Sequence, residues 1–176
     1  MASTKSLTGG SGDVNPQLLH AVLQQDGTNA TILTIPIPIP RFPAAKNKAF
    51  VMEVLKASYY LETGSIPVSD PSAGVQWGLA TTDNAALLDA TTFDQGSLTQ
   101  AGALNTGTFG AVNPYVTDFT DGAGHGLLIG TENIYLRIQS AFYTTASRIT
   151  LRLSYRYKLV DVYEWIGIVQ SQTSTS

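Results

Sequence analysis

Residues Ser147–Leu159 read SRITLRLSYRYKL, and their pattern decides the fold class. Ile149, Leu151, Leu153, Tyr155, Tyr157 and Leu159 take every second position, with Arg148, Thr150, Arg152, Ser154, Arg156 and Lys158 between them. Successive side chains of a strand point to opposite faces, so this alternation predicts a half-buried antiparallel strand. Upstream, Asn133–Tyr143 (NIYLRIQSAFY) alternates likewise, with Ile134, Leu136 and Ile138 on one face. Downstream, Val160–Gln170 (VDVYEWIGIVQ) is expected to be one more strand, or a continuation past a bend.

The same signal recurs toward the N-terminus. Ile32–Ile39 reads ILTIPIPI, so Ile35, Ile37 and Ile39 alternate with Pro36, Pro38 and Pro40. Proline has no N–H, and prolines at period 2 strip donors from one edge of an extended chain. The segment is therefore an edge strand, or a strand running into a sheet corner, and its prolines also discourage edge-to-edge aggregation. Pro36, Pro38 and Pro40 are candidates for a subunit contact. Ala49–Glu62 (AFVMEVLKASYYLE) is apolar on both faces, and its Val and Tyr content favours a strand buried on both sides. Gly74–Ala80, Tyr115–Phe119 and Leu127–Gly130 add short strands. Residues 81–112 read as long loops, with Asn84 placed to cap a short helix through Thr91.

About eight strands, no fixed repeat and one proline-blunted edge point to an all-β chain, an eight-stranded antiparallel jelly roll. The expected division is a flexible N-terminal arm at 1–16, a single domain at 17–170 whose part 63–132 is loop-rich and acidic, and a flexible tail at 171–176.

Charged residues are 13% of the 176, against about 25% in ordinary domains, while hydrophobic residues are an ordinary 43%. Threonine and serine fill the gap. An uncharged polar surface suits a chain that lies against copies of itself. The charge is also sorted along the chain. No Lys or Arg occurs between Lys56 and Arg137, a stretch holding Glu62, Asp70, Asp83, Asp89, Asp94, Asp118, Asp121 and Glu132. Blocks of one sign are expected to share one side of the fold. The net charge of −3 argues against a strongly basic nucleic-acid binder. No leader-like apolar segment or membrane-spanning run is present, so a soluble protein made in the cytosol, with no membrane partner, is expected.

Nothing marks an enzyme. There is no cysteine, no G-x-S-x-G elbow and no phosphate-loop or dinucleotide fingerprint; Gly9-Gly10-Ser11-Gly12 follows no strand. No cofactor is implied. Asp118, Asp121 and His125 could ligate a metal, but their spacing fits no calcium loop and reads as a polar turn, so no metal is expected. The strongest candidate site is the cationic stripe Arg148, Arg152, Arg156 and Lys158. At about 3.4 Å per residue it spans roughly 34 Å, a spacing that could follow a phosphate backbone. The competing reading is a solvated strand face, or cations paired with acids of a neighbouring subunit.

Leu7–Gln17 (LTGGSGDVNPQ), Pro36–Pro43 (PIPIPRFP), Val51–Lys56 (VMEVLK) and Leu159–Gln172 (LVDVYEWIGIVQSQ) together resemble coat proteins of small icosahedral viruses. The likeness is closest to those of circular single-stranded DNA viruses that encode a replication initiator, and it fades between about 63 and 132. It implies a jelly roll that self-assembles into an icosahedral shell within the virion, with long loops outside and single-stranded nucleic acid against the inner wall. Many such proteins begin with an Arg/Lys-rich arm, whereas the first 16 residues here hold only Lys5. The stripe, or another packaging route, must then neutralise the genome. The rival function is a carbohydrate-binding or adhesive β-sandwich, with Trp77, Trp165 and tyrosines as an exposed aromatic platform.

Overall fold

The computed structural model describes residues 16–25, 31–39, 47–62, 74–83, 90–99, 114–141 and 146–173. Residues 1–15 of the arm expected at 1–16, Pro40, and residues 84–89 of the helix expected from Asn84 through Thr91 lie outside these, and Ala90 and Thr91 form a turn. Among the described residues nine strands and one helix follow in order: β1 Gln17–Gln25, β2 Leu33–Pro38, β3 Lys48–Glu62, β4 Gly74–Ala80, β5 Thr92–Thr99, β6 Tyr115–Asp118, β7 Leu127–Ile129, β8 Asn133–Ala141, β9 Ser147–Asp161 and α1 Val162–Gln172.

All pairings are antiparallel. One sheet runs β1-β9-β3, with β6 and β7 both on the far side of β3, and the other runs β2-β8-β4-β5. β6 pairs with residues 56–59 of β3 and β7 with residues 52–54, so the two lie end to end in one strand position. The nine strands thus fill the eight positions of a jelly roll. β2 is the edge strand that its prolines require, paired only to β8.

The core lies between the sheets. β9 sends Ile149, Leu151, Leu153, Tyr155 and Tyr157 inward, as its alternation demands. Leu159 breaks the rule at 40% exposure, while Val160 is buried. The sandwich ends there, and α1 packs on the opposite side of β3, β7 and β9. β3 faces inward with Met52 and Val54, then with Ala57, Tyr59 and Leu61. A β-bulge between Val54 and Lys56 shifts the parity, which explains why neither alternate set of that segment reads as purely apolar.

Trp77 is fully buried, its ring 4.8 Å from that of Tyr115 and 6.0 Å from that of Tyr59. It faces Gly96 across the β4–β5 ladder, and a methyl group there would sit 2.3 Å from the indole. Nearby, the Tyr59 hydroxyl donates to Asp94 at 2.5 Å and Thr117 donates to the same carboxylate at 3.0 Å, tying β3 and β6 to β5. Burial pushes the Asp94 carboxyl up, against the pull of these donors and the Gln95 N–H.

Two expectations are corrected here. Thr92–Thr99 is a strand where a loop was expected. Val162–Gln172 is a helix where a strand was expected, and it carries Ser171 and Gln172, the first residues of the expected tail. Val162, Trp165, Ile168, Val169 and Gln172 form its half-buried side, at helical spacing. The Trp165 Nε1–H donates to Gly130 O at 3.2 Å. Gln172 accepts the Gly130 N–H at 2.9 Å and donates to Leu128 O, stitching the helix to the end of β7. β-propensity lost to this docking site.

Gly96→Ala is expected to cost about 1–3 kcal/mol by overpacking against the indole, read as a lower urea midpoint. For Asp94, the folded chain holds the proton more tightly than the unfolded chain, so stability falls as pH rises from the ordinary carboxyl value of 3.8 through the raised one. Asp94→Asn retains an acceptor for Tyr59, and its urea midpoint is expected to lack that decline and to match or exceed the parent's at neutral pH.

Candidate functional site

The outward face of the β1-β9-β3 sheet carries most of the sequence's candidate residues, and it divides into three zones along the strands. At one end Val51 and Val160 are buried outside the main core, on the side where α1 packs. In the middle lies Glu53, buried beneath a polar turn. Beyond it the face is open. There the register sets Leu18, Ser154 and Lys56 in one row, His20, Arg152 and Ser58 in the next, then Val22, Thr150 and Tyr60, and finally Gln24, Arg148 and Glu62.

Glu53 is 1% exposed and is bound by the Arg156 guanidinium through Nε–H. The excursion between β6 and β7 folds over the pair. Asp121 organises it by accepting the Ala123 and His125 N–H groups at 2.9 and 2.8 Å, and Gly124 supplies φ 82°. The Gly126 N–H donates to Glu53 Oε1 at 3.0 Å, and Arg156 Nη2 donates to Gly124 O at 3.1 Å. A Cβ on Gly126 would lie 2.1 Å from Val54 O, so only glycine lets the turn come this close. His125 Nδ1 stands 3.9 Å from Glu53 Oε1. Burial alone would raise the Glu53 pKa, but the Arg156 hydrogen bond, the Gly126 N–H and the Arg156 and Lys158 charges outweigh it and hold the carboxyl below its usual range.

The stripe is therefore not four equivalent cations. Arg156 is committed to Glu53, and Arg148 lies 3.8 Å from the Glu62 carboxylate. Arg152 is exposed, and no acid pairs with it among the described residues, while Lys158 is half-buried. The clustering of acids in sequence predicted one side for them, and four described ones do not gather opposite the cations. Glu62, Asp118 and Asp121 share the face with the cations, and Asp94 is in the core. Asp118, Asp121 and His125 form no metal-ligating group among the described residues. Asp118 instead accepts from Thr120, by side chain at 2.6 Å and by backbone at 2.9 Å. The aromatic platform is corrected too. Trp77 is a core residue, and Trp165 is half-buried with its N–H spent on Gly130. Sequence reasoning missed Glu53, an isolated acid in an apolar segment; that isolation was the available signal, since a buried acid needs a partner.

No family model matches the sequence, and no curated protein matches it. Solved structures do. The unassembled VP1 pentamer of Merkel cell polyomavirus aligns with TM-score 0.54 over 88% of this chain and 99% of that chain, at 8% identity. The unassembled VP1 pentamer of Washington University polyomavirus, an R198K mutant, gives 0.55 over 83% and 93%, at 8% identity. VP1 of human polyomavirus 12, in complex with 3'-sialyllactosamine, gives 0.50 over 84% and 100%, at 9% identity. The chain has the jelly-roll fold of viral coat proteins.

Arg156→Met strands a buried carboxylate and is expected to cost about 3–5 kcal/mol, whereas the double change of Glu53 and Arg156 to Met recovers most of the loss. Because Glu53 titrates below its ordinary 4.5 when folded, the pair stabilises the protein above that value and ceases to do so as pH falls through the lowered one. Urea midpoints across acid pH should show this loss in the parent and not in the double variant.

Proposed function

We propose that the chain is the structural coat protein of a small icosahedral virus, a virion component that self-assembles into a shell and performs no catalysis. The observation that carries this reading is the structural likeness to VP1 subunits over more than four-fifths of both chains. The sequence supports it independently, through a charge content of 13% with threonine and serine in place of the missing ions. A surface of such composition loses little on leaving water for contact with a copy, because few ions are desolvated.

The finer reading, a coat of a circular single-stranded DNA virus, rests on the four quoted segments, and its making in the host cytoplasm is part of the same proposal. Genome contact stays within the proposal and has narrower support, since Arg156 and Arg148 already face carboxylates. Neutralising Arg156 would strand Glu53, so that change cannot probe genome contact without also damaging the fold.

Size exclusion and negative-stain microscopy of the purified chain test the reading. Rings or closed particles are expected at moderate salt. A monodisperse 18.7 kDa monomer under every salt and pH condition would overturn it.

A further inference from the structure

Eight large apolar side chains stand exposed among the described residues, and six of them share the outer side of the β1-β9-β3 sheet. Leu18, Val22, Tyr60 and Val116 lie on the open field, at 38–56% exposure. Tyr163 and Ile166 lie on the solvent side of α1, at 88% and 39%. Exposed apolar side chains gathered in this way mark interaction surfaces. Each group also carries one charge with no opposite charge beside it among the described residues. On the field that charge is Arg152, set between His20 and Ser58. On the helix it is Glu164, in the first turn next to Tyr163.

We propose that the outer side of α1 in one copy docks on the open field of a second copy, with Tyr163 and Ile166 against Leu18, Val22, Tyr60 and Val116, and Glu164 against Arg152. This rests on the self-assembling reading above and names the two faces that meet. The opposite charges and matched apolar content of the two patches select the partner. A polyanion fits the field less well, because Glu62 and Asp118 stand among its cations and two of its four rows carry exposed apolar side chains. Two different patches meet, so the contact either repeats head-to-tail around a closed ring or is made twice across a two-fold axis. Gly167, whose missing Cβ has open space around it, lets a partner approach the helix between Tyr163 and Ser171.

The chain has no cysteine, so introduced thiols report on chosen positions alone. Under mild oxidation, an equimolar mixture of Val22→Cys and Ile166→Cys proteins is expected to give more cross-linked dimer than either variant alone. Arg152→Glu and Glu164→Arg should each raise the concentration needed for assembly about tenfold or more, because like charges then meet. The combined exchange should bring it back toward the parent value. Circular dichroism checks that every variant remains folded. Unchanged assembly in both single variants, cross-links only between like variants, or Arg152→Glu particles that assemble normally but lose nucleic acid would each overturn the proposal. In all three cases the parent still assembles, so the coat reading survives. A parent chain that stays monomeric removes that reading, and this proposal with it.

Discussion

The β3–β9 ladder is the constraint on which the rest of the structure depends. Both strands are 15 residues long, about 50 Å when extended, and they pair along nearly their whole length. One side of the ladder builds the core. The other would be a long strip of mixed side chains facing water, and the molecule treats its parts differently: the helix shelters Val51 and Val160, the turn from Phe119 to Gly126 seals Glu53 with Arg156, and the remainder stays open. The bulge after Val54 falls where the sealed part meets the open part, and it keeps both stretches of β3 facing the core despite the change of parity.

The framework was readable wherever one face is wet and the other dry. Ser147–Leu159 and Asn133–Tyr143 announce themselves, and the prolines of β2 specify an edge by chemistry alone. Legibility failed where that contrast is lost. β1 went unread because Leu18 and Val22 point outward while Leu19, Ala21 and Leu23 point inward, which erases the alternation. β5 was hidden by its glycine and polar residues, since Gly96 is there to admit Trp77. The helix was misread because Val, Tyr, Trp and Ile favour strands, and only the position of Gly130 and Leu128 shows why they coil. At the candidate site, the identity of the cations was legible. Their partners were not, because Glu53 lies about 100 residues before Arg156 and no local pattern links them.

The shortage of charge takes a more definite meaning in three dimensions. Several of the few ions are matched: Lys48 holds Asp161 at 2.6 Å, Arg148 faces Glu62, and Arg156 binds Glu53. Sorting by sequence segment is thus not sorting by side. Glu62 of the middle segment meets Arg148 across the ladder, Glu53 and Asp161 of the end segments meet Arg156 and Lys48, and the face becomes close to neutral apart from the field around Arg152. A neutral, partly apolar face is weakly hydrated and therefore cheap to cover.

The order of the strands has a consequence for how subunits come into being. β1 and β9 meet through residues as far apart as Gln17 and Tyr155, 138 positions, and Lys48 reaches Asp161 across 113. The first sheet has no centre until β9 emerges from the ribosome, and α1 has nothing to dock on before then. A chain that stops before β9 offers neither the helix nor the field, whereas one that includes β9 and α1 acquires both in a single cooperative, non-local event. Formation of the first sheet, of its open field and of the helix's docking site is then one step, and none of them exists before β9 has joined.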